Sequence, residues 1–131
     1  MLELAVTLPA AAVAAILNLW LSARVGKMRG QTKVIHGDDG GGPLTRRMRA
    51  QLNFVENTPF VLILIAAIEL SDKGGAWLAI VAAVYFLGRI GHAIGMDSET
   101  FHKGRMIGTL ITMLTLLGLS IYALLVWFHV V

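Results

Sequence analysis

The 131-residue chain contains no cysteine, which excludes disulfides, thiolate metal sites and a cysteine nucleophile. Any thiol chemistry would have to use a thiol brought by a substrate. Charge is scarce: Asp, Glu, Lys and Arg make up 15% of the residues, against about 25% in ordinary soluble domains. The four histidines, His36, His92, His102 and His129, are dispersed with no His-Glu-x-x-His pattern, so no metal site is expected. No spacing assembles a Ser-His-Asp set, which argues against acyl transfer. Period-two alternation is missing from the apolar segments, and a membrane barrel is excluded with it.

What is abundant is apolar sequence. The chain is 56% hydrophobic with a mean hydropathy of +0.73, the balance of an integral membrane protein. Four segments, about residues 2–23, 48–70, 76–96 and 106–128, are each long enough to cross the ~30 Å hydrocarbon core as a helix. The fold class expected is therefore all-α, a membrane bundle of four helices in a single domain. The first span has no basic residue before Arg24 and is long for a signal-peptide core, so it is expected to be retained.

A net charge of +3 does not point to nucleic acid, because the basic residues flank the spans. Seven of the eleven Lys and Arg fall between Arg24 and Arg49, and Lys103 and Arg105 mark the third connection, whereas the second holds only Lys73. Basic connections lie on the cytoplasmic side, which puts both termini outside. Trp20, Trp77, Tyr122 and Trp127 stand near span ends as interfacial anchors. Gly88, Gly91 and Gly95, with Gly104 and Gly108, offer small faces for close packing of the third and fourth helices. Glu3, Glu69 and Asp72 read as solvated outer ends, Asn18 as an interhelical hydrogen-bonding residue, and Pro59 as a kink in the second helix. The run HGDDGGGP, His36 to Pro43, lacks the Gly-Lys-Ser/Thr context of a phosphate loop and reads as a turn.

The sharpest feature lies inside the second span. Arg49, Asn53 and Glu56 follow one another at offsets of four and three, which aligns them on one helical stripe. Arg89 and His92 share a face of the third span, and Arg105 opens the fourth. Ionisable groups at membrane depth are costly unless they pair or meet a polar ligand. Arg49, Arg89 and Arg105 outnumber Glu56 three to one, a surplus that suits an anion with donors and acceptors of its own. A purely structural alternative has Glu56 paired with Arg89 across helices two and three, His92 as a packing residue, and Arg46 and Arg47 as snorkelling flanks.

The run RAQLNFVENTP, Arg49 to Pro59, resembles the Arg-x-x-x-Asn-x-x-Glu-x-x-Pro signature of the MAPEG family, the membrane-associated proteins in eicosanoid and glutathione metabolism. GRIGHAIG, Gly88 to Gly95, is similar to the family's third-helix segment, and GDDGGGP resembles a turn of bacterial members. The resemblance implies a homotrimer in the bacterial inner membrane, with glutathione as cosubstrate bound between protomers near the cytoplasmic face. It implies glutathione contacts from Arg24, Arg49, Asn53, Glu56, Arg89 and His92, and a catalytic Arg105 that stabilises the thiolate for attack on a lipophilic electrophile. Met96, Met106 and Asn57 depart from residues frequent in the family, which weakens any link to one eicosanoid reaction. The same fold also serves a non-enzymatic trimer that binds a lipid or partner protein, and a small-anion or proton pathway is a third class.

Overall fold

The computed structural model describes residues 4–131 and consists of four helices: α1 (Thr7–Thr32), α2 (Pro43–Leu70), α3 (Ala76–Gly95) and α4 (Lys103–Trp127). Glu3 and the first residues of the expected first span lie outside the described residues. All four helices are long and apolar enough to cross a membrane, and the protein is an integral membrane helix bundle.

The helices run alternately up and down. Glu69, at the end of α2, meets the start of α1, and at the opposite end Arg24 of α1 and Arg47 of α2 meet Asp97 beyond α3. At 26 and 28 residues, α1 and α2 extend to about 40 Å, longer than the ~30 Å apolar core requires. Their excess length projects past Asp97 as a helical extension that carries the basic cluster. The spans read from apolar composition stop short of these polar ends, although the helical geometry continues through them.

Local chemistry sets the helix ends. α1 starts without a side-chain cap of its own. Glu69 supplies one from α2, accepting hydrogen bonds from the Val6 amide (2.7 Å), the Thr7 amide (2.8 Å) and the Thr7 hydroxyl (2.7 Å). This corrects the reading of Glu69 as merely solvated: its carboxylate satisfies amides that a helix start otherwise leaves unpaired. In the Gly-rich run, Asp39 accepts from the amides of Leu44 and Thr45 and from the Thr45 hydroxyl, and Pro43 occupies the first turn of α2. Gly42 is needed there because a Cβ would collide with the Asp39 carboxylate. α2 then runs uninterrupted through Pro59.

α3 and α4 form the closest pair; α2 touches all three other helices, and α1 does not meet α4. The α3–α4 seam is built from glycine. A Cβ at Gly108 would strike the Gly88 carbonyl and the Cβ of His92, and one at Gly95 would strike the backbone of Arg105. The core is thin: Phe54, Val61, Ile65, Leu78, Tyr85 and Leu119 are buried, while Ile16, Leu19, Phe60 and Leu114 are each more than 60% exposed. That outward apolar surface suits contact with lipid.

Candidate anion site at the basic end of the bundle

Helix geometry decides how the α2 stripe is divided. At about 100° per residue, the buried Ala50, Phe54, Val61 and Ile65 define the core-facing direction of α2. Asn53 lies at the edge of that face, and Arg49 and Glu56 lie about 40° and 60° further round. Burial follows the same order, with Asn53 half-buried and Arg49 and Glu56 exposed.

Asn53 turns inward to Arg89. The Arg89 side chain, 3% exposed, donates from one terminal nitrogen to Asn53 Oδ1 (2.6 Å) and from the other to Thr112 Oγ1 (2.8 Å). The nitrogen that serves Asn53 also lies 3.4 Å from His92 Nδ1. Arg89 Nε is buried with no partner among the described residues. The Thr112 hydroxyl donates in turn to the Gly108 carbonyl (2.9 Å). Thr58 and Tyr85 share a buried hydrogen bond of 2.8 Å, on the same helices and one turn from Arg89.

The ion pairs among the described residues join Arg24 to Asp97, Arg47 to Asp97 and Arg46 to Glu99. None involves Arg89 or Glu56, so the pair between them that the structural alternative requires is not formed among the described residues. The Arg89 guanidinium is thus buried against neutral acceptors with no carboxylate beside it. Such a charge is held at a cost that hydrogen bonds offset in part and an approaching anion offsets further.

Arg24 stacks over the Trp20 ring at 4.9 Å and donates to the Ala93 carbonyl at 3.2 Å as well as to Asp97. Its carboxylate partner in the structure is therefore the protein's own. Arg47 donates to the Arg24 carbonyl (3.1 Å), tying α1 and α2 together beside His92's neighbour Ala93. Asn18 accepts from Gln51 at 3.3 Å, an α1–α2 link.

Arg105 shares a stripe of α4 with Gly108 and Thr112. Its backbone packs on Gly95, and its exposed side chain lines a groove of about 350 Å³ with Phe101, His102 and Thr109. Arg49 lines a different groove, of about 410 Å³, with Arg29, Thr45 and Gln51. Asn53, Arg89 and His92 are thus brought together, Arg24 adjoins them through α3, and Arg49 and Glu56 face outward on α2 while Arg105 faces outward on α4.

The MAPEG family model matches residues 7–125. The chain belongs to the MAPEG family. The match takes in the four helices almost end to end, so the family assignment covers the α2 stripe, the α3 glycine segment and Arg105 alike. No curated protein gave a significant match to this MAPEG chain. Membership makes it a membrane protein of a family associated with glutathione-related metabolism.

Sequence reasoning missed Thr112 and Asp97. Thr112 carries a usable signal, since it follows Gly108 by four residues on the glycine face of α4. Asp97, just beyond α3, is the one acidic residue among the described residues that meets arginines of both α1 and α2.

Proposed function

We propose that the protein is a membrane-bound, glutathione-dependent transferase or peroxidase acting on lipophilic electrophiles, with glutathione held between the protomers of a homotrimer. One observation carries this reading: Arg49, Glu56 and Arg105 are charged, exposed and split between outward faces of membrane helices. An ionisable group facing lipid costs about 2.5–3.5 kcal/mol at mid-span and less toward the helix ends, where Arg49 and Arg105 lie. Closing these faces with neighbouring copies removes that cost and brings groups from different grooves around one anion. The surplus of arginine suits a tripeptide with two carboxylates and one ammonium, which Glu56 complements.

Glutathione supplies the thiol that this cysteine-free chain lacks. Arg105, as a nearby cation, favours the thiolate over the thiol. The thiolate sulfur then bonds to the electrophilic carbon of a substrate arriving from the bilayer, and a leaving group departs with the displaced electron pair. Arg49, Asn53 and Glu56 hold the tripeptide while the apolar helix faces exclude water. By the positive-inside tendency, the basic extension of α1 and α2 supports a site facing the cytoplasm with both termini periplasmic, and the proposed membrane is a bacterial inner membrane.

Calorimetric titration of the purified protein with glutathione tests the proposal. Wild type binds, Arg49→Ala loses binding, and Arg105→Ala binds without the ultraviolet absorbance of a bound thiolate and without turnover of an aryl halide. A folded wild type that binds no glutathione refutes the reading and leaves a lipid- or partner-binding trimer in its place.

A further inference from the structure

Arg89 is placed too deep to hold a ligand directly. Its two terminal nitrogens are committed to Asn53 and Thr112, and it is 3% exposed. We infer that Arg89 and Thr112 are positioning residues that lock the Asn53 carboxamide with its NH2 group outward, making Asn53 an obligate hydrogen-bond donor to a carboxylate or amide carbonyl of the ligand. This rests on the glutathione reading above and assigns roles within that site.

The argument follows from what each group is able to do. A guanidinium donates and never accepts, so the Asn53 atom that faces it must be the oxygen. The amide orientation is thereby fixed by chemistry rather than left ambiguous. The other end of the carboxamide is then Nδ2, two donors and no acceptor. Among the described residues Nδ2 has no hydrogen-bond partner, and it is not among the sealed, unpartnered side-chain atoms. It is not sealed off, and it is unused among the described residues.

Thr112 is held as firmly. It is 1% exposed, its proton is committed to the Gly108 carbonyl, and its oxygen accepts from Arg89. Thr112 is therefore an acceptor for Arg89 that cannot swing away without breaking a second bond. The same rule acts on His92: at the 3.4 Å contact Nδ1 accepts, which leaves the ring proton on Nε2. A buried cation thus turns acceptors toward itself and leaves donors for the ligand.

Three variants of the full-length protein test this by glutathione calorimetry, with unfolding measured alongside. Asn53→Asp keeps an acceptor for Arg89 and removes the donor; it should fold at least as stably as wild type yet bind about tenfold or more weakly. Thr112→Val, too deep to touch a ligand, should weaken binding by about threefold to tenfold, and Thr112→Ser should restore it. Rescue by serine separates positioning from bulk packing, since serine returns the hydroxyl without the methyl. Wild-type affinity in Asn53→Asp, or in a folded Thr112→Val, overturns the inference while leaving glutathione binding standing. Loss of binding in Thr112→Val that serine fails to restore overturns it too. A wild type that binds no glutathione overturns the proposed function and this inference together.

Discussion

Replacing Gly108 and Gly118 by alanine, one at a time, separates the α3–α4 seam from the rest of α4. Both glycines lie inside the same helix, so each substitution gains the same helix propensity, about 1 kcal/mol. Their surroundings differ. A Cβ at Gly118 meets nothing within 4 Å, whereas at Gly108 it meets the Gly88 carbonyl oxygen and the Cβ and Cα of His92. Those atoms are backbone or fixed to it, so no side chain swings aside and the helices must part. Overpacking of this kind costs about 1–3 kcal/mol. Parting the helices also draws Thr112, one turn on, away from Arg89, and weakens a hydrogen bond to a charged group worth about 1.5–3 kcal/mol. Gly118→Ala should therefore be neutral or up to ~1 kcal/mol stabilising, and Gly108→Ala destabilising by about 2–3 kcal/mol net. Helical signal followed through an SDS titration in mixed micelles reads both. Shifts of the same sign and size in the two variants would refute the close glycine seam.

Two further outcomes concern the helix ends. Glu69→Ala should fray the first turn of α1 and cost about 1–2 kcal/mol, seen as faster hydrogen exchange at Thr7 and its neighbours; unchanged exchange would show that α1 does not depend on the α2 carboxylate. Asp39, in the α1–α2 connection, is held down to about 2 from an ordinary 3.8: partial burial raises it, and hydrogen bonds from the Thr45 hydroxyl and the Thr45 and Leu44 amides overcome that. A depressed carboxylate adds stability that is complete above pH 3.8 and lost as the pH falls toward 2. Wild type should thus lose stability across that window more steeply than Asp39→Asn, and parallel pH profiles would count against the cap.

The four helices are legible in the sequence because apolar composition over twenty residues has few other physical outcomes. The α2 stripe is legible because offsets of four and three admit one helical alignment. What the stripe alone leaves undetermined is which side of it faces the core. Asn53 points in and Arg49 and Glu56 point out, and that assignment needs the core direction set by Phe54, Val61 and Ile65. The Glu69 cap joins residues more than sixty positions apart, and the Thr112 contact joins α4 to α3. Neither follows from local spacing, because each depends on the relative height of two helices. Asp97 sits in a connection, where periodicity carries no information.

The contrast between Arg89 and the other arginines bears on why a cation is kept in so thin a bundle. Burying a guanidinium is a poor way to gain stability, since apolar side chains of like volume often serve as well or better. Arg89 also lacks the carboxylate that would make its burial cheap, and its partners, Asn53 and Thr112, are neutral. Stability is therefore a weak reason for its presence. Orientation is a stronger one: no apolar side chain can decide which end of the Asn53 carboxamide faces outward, and a group that only donates decides it completely. Arg49, Glu56 and Arg105 remain exposed and unpaired within the described residues, free to respond to whatever closes over them. On the proposed reading, a charge that is fixed and one that is free serve different ends in the same site, one setting the geometry of recognition and the other its strength.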